Sequence, residues 1–449
     1  MSIHKDSTST NTQGKRGFYR WIVLGIIFVL YTIATADRAN FGMALPYIKQ
    51  EYGLSNQDAG ILIGFFFTFY AIGQIPCGFL YRKVKVRTLL PISMILTSVC
   101  TWLIGHTSSV LLLKIFRAGL GLSEAPLGIG CGTTINNWFP PKEKGTAMGF
   151  YFAAMKCGPV VVPPICGIII LLWGWRALFI ACAIPGFLIA IAWWFFVHTK
   201  PEESPYVSKA ELDYIRSEES AVPAEVEKVK VPTVDRCPAW LDVLIRSKKL
   251  PIVDNNFKVF TSWNIIGSGL CFMCMSGVIN TIMLWIPTYL KDEKGFGIVN
   301  TGFMAAAPFV GAVIGNMIGG VISDRVFNKR RKPLMIVSSI FTSIMMYSLV
   351  YAPNNPIYLS CMLFLMGLLL NLSYSAFVLY PAAFTTKEVY PLAYSIVNTG
   401  GSLGGAIVPG AVGFILDSAY GWGGAFLFMA GCSIFCLFIV LSIVEPKSE

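Results

Sequence analysis

Five ionisable residues lie well inside long apolar stretches in the first half of the chain: Asp37, Arg38, Arg117, Glu124 and Lys156. An ionised group in a hydrocarbon layer costs several kcal/mol unless it is paired or hydrated, so such residues usually mark a functional cavity. Arginine binds a carboxylate through a planar fork and keeps its proton. A carboxyl group can instead gain or lose a proton when its surroundings change. Together these residue types predict exchange between a proton and an organic anion.

Arg117 and Glu124 belong to the segment "FRAGLGLSEAP" at residues 116–126. A separation of seven residues places both on one face of a helix, about 10 Å apart along its axis. They therefore point into the same space. The spacing leaves two interpretations open: both groups face a ligand site, or each is held by a partner on another helix and stabilises the bundle.

Asp37 and Arg38 are adjacent, so their side chains point about 100° apart on a helix and cannot both face one ligand squarely. The apolar pattern continues for several turns beyond them as "NFGMALPYI", which predicts a long, tilted helix with the pair inside a water-filled cavity rather than at its outer edge. Lys156 has two possible placements. It faces a neighbouring helix and pairs with Glu124 or Asp37, or it faces the cavity.

The elements that must position these groups follow from composition. The 449 residues are 55% hydrophobic and 13% charged, and apolar runs of about 20 residues, enough to cross roughly 30 Å of hydrocarbon, recur along the chain. They predict an all-α membrane protein with twelve transmembrane helices and exclude a β-barrel, because strands of alternating polarity are missing. We expect spans at 18–46, 57–80, 88–106, 109–138, 146–172, 176–197, 257–287, 298–322, 333–352, 356–384, 391–416 and 422–443.

The polar segments between the spans predict domains and orientation. Residues 1–17 form a tail, 18–197 a six-helix bundle, 198–256 a linker, 257–443 a second six-helix bundle and 444–449 a short tail. Basic loops such as "YRKVKVR" at 81–87 and "SDRVFNKRRK" at 323–332 predict that both termini are cytoplasmic. The net charge of +11 is therefore interpreted as a topology signal, not as nucleic-acid binding. In the linker, "SKAELDYIRSEE" predicts an amphipathic helix capped by Ser208, with Glu211 three residues on.

The sequence predicts no cofactor and no metal site. Most of the twelve cysteines lie in apolar spans, where a thiol packs as a small hydrophobic group, and the C-x-x-C pair Cys271 and Cys274 lies mid-helix without nearby charge. The three histidines are scattered at or beyond span edges. We expect no enzymatic activity, because no nucleophile lies beside a histidine and no phosphate-binding loop is present.

The two halves carry a similar loop: "GFLYRKVKVR" at 78–87 follows the second span, and "GGVISDRVFNKRRK" at 319–332 follows the eighth. This duplication, with "ADRANFGMALPYI", "FYAIGQIPCG", "SEAP", "NNWFPPKEKGTAMGFY", "WIPTYL" and "NTGGSLGGAIVP", resembles the major facilitator superfamily. Within it the chain is similar to the anion:cation symporter family of sugar-acid and organic-anion transporters. One departure is Tyr81, which occupies a position that is usually acidic. The contact that this loop makes on the inner side of the first bundle is therefore expected to be weaker.

The resemblance implies two six-helix bundles with a substrate site between them, in a bacterial inner membrane. It links Asp37 and Glu124 to proton coupling, and Arg38 and Arg117 to the substrate. Polar groups from both halves are expected to complete the substrate site, namely Lys156, Tyr70, Gln74, Tyr374, Ser375 and Asn398, of which Asn398 matches a family substrate contact. The expected partners are a small organic anion, protons and the lipid bilayer, and we predict a monomer.

The sequence leaves one other function open and disfavours two more. An anion exchanger or exporter stays open, although "KCGPVVVPPICG" at 156–167 matches the glycine-proline pattern of exporters only in part. A membrane-embedded enzyme lacks a catalytic motif. An organophosphate exchanger is expected to use a basic residue in each half, and the seventh span has no arginine. The expected function is therefore proton-coupled uptake of a small organic anion such as a hexonate or hexuronate.

Overall fold

The computed structural model describes residues 17–220, 245–248, 250–327, 330–386 and 389–446, and these are almost entirely helical. The first bundle comprises α1 (Tyr19–Tyr52), α2 (Asn56–Lys83), α3 (Val86–His106), α4 (Val110–Trp138) and α5 (Pro141–Phe196). The linker contributes α6 (Lys209–Ser220), and the short helix α7 (Asn256–Thr261) begins at its last residue. The second bundle comprises α8 (Trp263–Thr288), α9 (Ile298–Val321), α10 (Lys332–Leu349), α11 (Pro356–Asn371), α12 (Tyr374–Leu379), α13 (Tyr390–Leu416) and α14 (Gly421–Ser442). Residues 1–16 and 447–449 of the predicted tails, and residues 221–244 and 249 of the predicted linker, lie outside the described residues.

Among the described residues, ten helices are long and apolar enough to cross a membrane. One of them, α5, runs for 56 residues and provides two spans, because its backbone turns at Gly174 with a φ of 82°, a left-handed conformation that glycine adopts without strain. The helix α4 provides a further span although Arg117 and Glu124 lower its hydropathy. Every one of the twelve predicted spans thus corresponds to a helix or, for the tenth, to α11 and α12 together.

The two ends of the molecule are distinguishable by their loops. We call the end where α1 begins the basic end; residues 84–85 and 139–140 lie there, and the Tyr19 hydroxyl donates a hydrogen bond of 2.8 Å to the carbonyl of Phe196. The opposite end carries the break in α5. There Trp175 donates a hydrogen bond of 2.7 Å to Glu51 at the end of α1.

Contacts between the bundles close the opposite end. The carboxylate of Asp417, just after α13, accepts hydrogen bonds from the backbone N–H groups of Asn56 and Gln57 at 3.1 and 2.7 Å. It thereby caps the N-terminus of α2 from the other bundle, a position where a negative charge is favourable. Nearby, Gly60 and Gly410 let α2 and α13 approach so closely that an added Cβ on Gly60 would lie 3.1 Å from the Cα of Gly410.

At the basic end the linker helix α6 is fastened to the first bundle. Ser208 accepts a hydrogen bond of 3.2 Å from the backbone N–H of Glu211, which confirms the predicted cap. The carboxylate of Glu211, however, reaches α1 and accepts from the backbone N–H of Tyr19 and from Arg20 at 3.2 and 2.9 Å. Arg20 also pairs with Glu143 of α5 at 2.8 Å. The linker helix therefore covers the start of α1.

Tyr81, which replaces the expected acidic residue, joins α2 to α4. Its hydroxyl donates a hydrogen bond of 2.9 Å to the carbonyl of Pro126, and its ring tip lies against Gly130. The side chains of Arg82, Asp324 and Arg325, which complete the duplicated loop motif, lie outside the described part of the structure. Within the described residues, Tyr81 thus makes a hydrogen bond to the backbone at the position where the acidic residue is usual.

Candidate functional site

A cavity of about 120 Å³ lies between the bundles. A water molecule needs only about 10–15 Å³ by a comparable measure, so this central cavity has room for several waters or a small ligand. Its walls come from both bundles: Tyr31, Thr35, Arg38, Phe67, Tyr70, Gln74, Met155, Lys156 and Pro159 from the first, and Phe272, Ser276, Ile279, Asn280, Met283, Phe309, Tyr374, Asn398, Gly401 and Ser402 from the second.

Arg38 of α1 is paired with Glu124 of α4. Its Nε donates to Glu124 Oε1 at 2.9 Å, and its Nη2 donates to the same oxygen. The Glu124 side chain is 2% exposed, whereas Arg38 is 17% exposed and lines the cavity. Protonation of Glu124 would remove the negative charge that holds the guanidinium, which would then be available to an anion in the cavity.

Asp37 is buried beside this pair and does not line the cavity. Its Oδ1 accepts a hydrogen bond of 3.0 Å from the side-chain amide of Asn40, one turn further along α1. Asp37 also interacts electrostatically with Glu124 and Arg117. The prediction that α1 is long is confirmed, but only Arg38 of the adjacent pair faces the cavity.

Arg117 lies behind the cavity wall rather than in it. Its guanidinium carbon stands 3.9 Å from the centre of the Phe41 ring and 4.9 Å from that of Phe66. Within the described residues its three side-chain nitrogens have no hydrogen-bond partner, and the residue is 1% exposed. Cation–π contacts offset part of the desolvation cost of such a charge. Arg117 and Glu124 do share one side of α4, but in this conformation Arg117 is not in position to touch a ligand in the cavity.

Lys156 faces the central cavity. Its Nζ donates a hydrogen bond of 3.2 Å to Asn371 Oδ1 of α11 and stands 4.4 Å from the centre of the Tyr374 ring. Neither Glu124 nor Asp37 forms an ion pair with it in the described structure. Of the two placements that the sequence left open, the structure shows the one in which Lys156 faces the cavity.

The predicted polar residues are distributed as follows. Tyr70 and Gln74 of α2, Tyr374 of α12 and Asn398 of α13 line the cavity, whereas Ser375 does not. Tyr70 contributes its ring to Arg38, whose guanidinium carbon lies 4.9 Å from the ring centre. Tyr70 therefore helps to hold the cation that Glu124 neutralises.

Two polar residues of α8 were missed by sequence reasoning. Ser276 and Asn280 line the cavity, and the Asn280 amide donates to the backbone carbonyl of Ser276 at 2.8 Å. Their spacing of four residues inside an otherwise apolar helix was the available signal, because it places both on one face.

The tenth span is interrupted beside the cavity, between the end of α11 at Asn371 and the start of α12 at Tyr374. Irregular backbone at membrane depth is tolerated where it lines a cavity, and interrupted helices are common at transporter binding sites. The break places Asn371 and Tyr374 on either side of Lys156, so both reach the same ammonium group.

The chain matches the model of the Major Facilitator Superfamily over residues 27–328 and 270–449. It is 27% identical to a probable galactarate/D-glucarate transporter of Bacillus subtilis, with 99% of this chain and 96% of that protein covered. It is 26% identical to a D-galactonate transporter of Escherichia coli O6:H1 and 24% identical to a hexuronate transporter of Bacillus subtilis, each over 94% of both chains.

Solved structures of the same fold include a D-xylose-proton symporter, with a TM-score of 0.72, 15% identity, and coverage of 95% of this chain and 98% of that one. A bacterial homologue of the lysosomal transporter Spinster, in an inward-facing conformation, has a TM-score of 0.71 and 17% identity over 94% of this chain and 96% of its own. The resemblance noted in the sequence is confirmed. The chain belongs to the Major Facilitator Superfamily and is a multi-pass membrane transporter, not an enzyme.

Proposed function

We propose that the protein is a secondary active transporter that takes up a small organic anion, a hexonate, a hexuronate or a related carboxylate, together with protons. The observation that carries this proposal is the Arg38–Glu124 ion pair at the edge of the central cavity. An anion that enters the cavity competes with Glu124 for the guanidinium, and protonation of Glu124 favours the anion. Substrate and proton binding therefore support each other, which is the condition for symport.

The predicted residues other than Ser375 have roles in this scheme. Glu124 carries the exchangeable proton, and buried Asp37 is a second proton carrier within electrostatic range of it. Arg38 and Lys156 bind anionic groups. Tyr70, Gln74, Tyr374 and Asn398 line the cavity and supply hydrogen bonds to hydroxyl groups. Arg117 acts from behind the wall as a fixed positive charge.

Transport proceeds by alternating access between the bundles. The contacts of Asp417 with α2 and of Gly60 with α13 close the opposite end, which favours substrate exchange at the basic end in this conformation. The basic loops favour a cytoplasmic location for that end and for both termini. The bacterial relatives support residence in the inner membrane.

The test uses the purified protein in proteoliposomes with a labelled hexonate or hexuronate. An imposed acid-outside gradient should drive accumulation above the external concentration, and a protonophore should abolish it. An exchanger would instead give counterflow without a gradient and no gradient-driven accumulation. That result would overturn the proposed proton coupling and favour the alternative of an anion exchanger or exporter.

A further inference from the structure

Lys156 is a half-buried cation in the wall of the central cavity, and the proposed proton relay does not use it. It comes from the first part of α5, whereas its contacts Asn371 and Tyr374 belong to the second bundle. Arg38 on the same wall is neutralised by Glu124. Among the described residues, no carboxylate lies within ion-pair distance of Lys156. A cation that is partly removed from water and lacks a counter-charge raises the free energy of the folded state. A positive charge at this position is therefore expected to serve a function.

The contacts of Lys156 fix the orientation of its ammonium group but use only part of its hydrogen-bonding capacity. The side-chain amide of Asn371 donates to the backbone carbonyl of Gly367 at 2.9 Å, which fixes its oxygen toward Lys156. An ammonium group has three N–H donors, and Asn371 accepts one of them. The Tyr374 ring supports the charge from one side. Two donors thus remain for a group inside the cavity.

We propose that Lys156 is a second anion-binding group and that the preferred substrate is a dianion, with one anionic group bound by Arg38 and the other by Lys156. This inference rests on the proposed function and refines it from organic anions in general to short polar chains with an acidic group at each end. Two cations of the described residues, Arg38 and Lys156, line the cavity, and when Glu124 is protonated neither of them has a carboxylate partner there. A monoanion would leave the other cation unneutralised in a site of low dielectric constant.

The competing explanation is mechanical: the hydrogen bond from Lys156 to Asn371 simply ties the first bundle to the second. The two explanations differ in what loss of the charge does. A mechanical tie affects every ligand alike, because it shifts the equilibrium between conformations. An anion-binding group affects only ligands that carry the second anionic group.

The experiment measures the affinity of the purified protein for two matched ligand pairs, galactarate with D-galactonate and D-glucarate with D-gluconate. Within each pair only one end group changes, from carboxylate to hydroxymethyl. The variants are Lys156→Gln and Lys156→Met, which remove the charge with and without a polar end. Lys209→Gln, at an exposed position of α6, makes the same change of net charge outside the cavity. Thermal unfolding confirms that each variant is folded.

We expect the unchanged protein to bind one of the dianions at least tenfold more tightly than its monoanionic partner. Both Lys156 variants should lose about 10–100-fold in affinity for the dianion, the range expected for a charged hydrogen bond, and less than about threefold for the monoanion. Lys209→Gln should retain the preference. Equal losses for both ligands, or no dianion preference in the unchanged protein, would overturn the inference and leave the proposed function standing. Failure to bind any of the four acids or the hexuronate of the transport assay would contradict the proposed sugar-acid function itself.

Discussion

Two nitrogens of Arg38 donate to a single carboxylate oxygen of Glu124, and the second oxygen of Glu124 has no hydrogen-bond partner among the described residues. The pair joins α1 to α4 and separates a buried carboxylate from a cation that lines the cavity. The carboxylate is thus placed where a proton can replace the cation as its partner, and the cation where an anion can replace the carboxylate.

Glu124→Gln should keep substrate binding and exchange but lose uphill accumulation. The amide preserves shape and hydrogen bonding to Arg38 but carries no exchangeable proton. In proteoliposomes we expect counterflow within about threefold of the unchanged protein, and no accumulation under an acid-outside gradient. Glu203→Gln, an exposed glutamate of the loop at the basic end, serves as control. Undiminished accumulation by Glu124→Gln would remove Glu124 from the coupling role.

Arg38→Lys should be nearly as damaging as Arg38→Ala. A compact ammonium group cannot donate two parallel hydrogen bonds to a carboxylate, and it lies less well against the Tyr70 ring. We expect substrate affinity to fall by about 10–100-fold, the cost of losing a charged hydrogen bond, in both variants. Binding is measured by calorimetry on purified protein. Near-normal affinity of the lysine variant would show that only positive charge is needed at this position.

Arg117→Met should separate a functional charge from a structural one. The guanidinium is buried against Phe41 and Phe66 without a hydrogen-bond partner in the described residues, so an apolar side chain of similar length should fit. A buried charge without a hydrogen-bond partner is costly to keep out of water, and its removal leaves no hydrogen-bond partner unpaired within the described residues. We expect unchanged or higher thermal stability together with at least tenfold slower uptake. A variant that unfolds early would show that Arg117 serves the fold.

Asp417 should give the closure of the opposite end a pH dependence. Burial raises the pKa of Asp417, but hydrogen bonds from the backbone of Gln57 and Asn56 lower it more, so the net shift is downward. A carboxyl group with a depressed pKa stabilises the closed state above its ordinary pKa of about 3.9, and that stabilisation is lost as pH falls through the depressed value.

The corresponding variant is Asp417→Asn. Because the carboxylate is exposed to solvent, the expected loss of stability at pH 7 is modest, about 0.5–1 kcal/mol. Thermal unfolding of the two proteins is compared at pH 7 and at pH 3. The difference in melting temperature should be present in full at pH 7 and should be smaller at pH 3, which lies below the ordinary carboxyl pKa of about 3.9 and therefore in the range where the charge-dependent stabilisation is being lost. A constant difference across this range would show that the charge of Asp417 is not what stabilises the closure.

Much of the site was visible in the sequence because its groups are unusual for a membrane interior. Arg38 and Lys156 stand out as cations in apolar stretches, and the structure brings both to one cavity with Asn398 and Gln74. The pairing of Arg38 with Glu124 was not predictable, because it depends on the relative rotation of α1 and α4. The same rotation turns Arg117 onto the Phe41 ring instead of into the cavity.

The interruption of the tenth span also could not be predicted from the sequence. Residues 371–375 read "NLSYS", without a glycine or proline to mark a break. The position of the break follows from tertiary packing, since Gly319 of α9 packs closely against the backbone of Leu372. In addition, the side-chain amide of Asn371 donates a hydrogen bond to the carbonyl of Gly367, one turn earlier in α11. Local propensity does not contain this information.

The central claim is that substrate replaces Glu124 at Arg38 while Glu124 takes up a proton. It is tested most directly by the proton uptake that accompanies substrate binding, measured with a pH-indicator dye in weakly buffered solutions of the purified protein. When a sugar acid binds to the protein with Glu124 intact, the pH of the solution should rise. Glu124→Gln should bind the same ligand with a clearly smaller rise in pH. Two results would contradict the exchange at Arg38: substrate binding to the wild-type sequence without a change in pH, or an equal rise in pH for that protein and for Glu124→Gln.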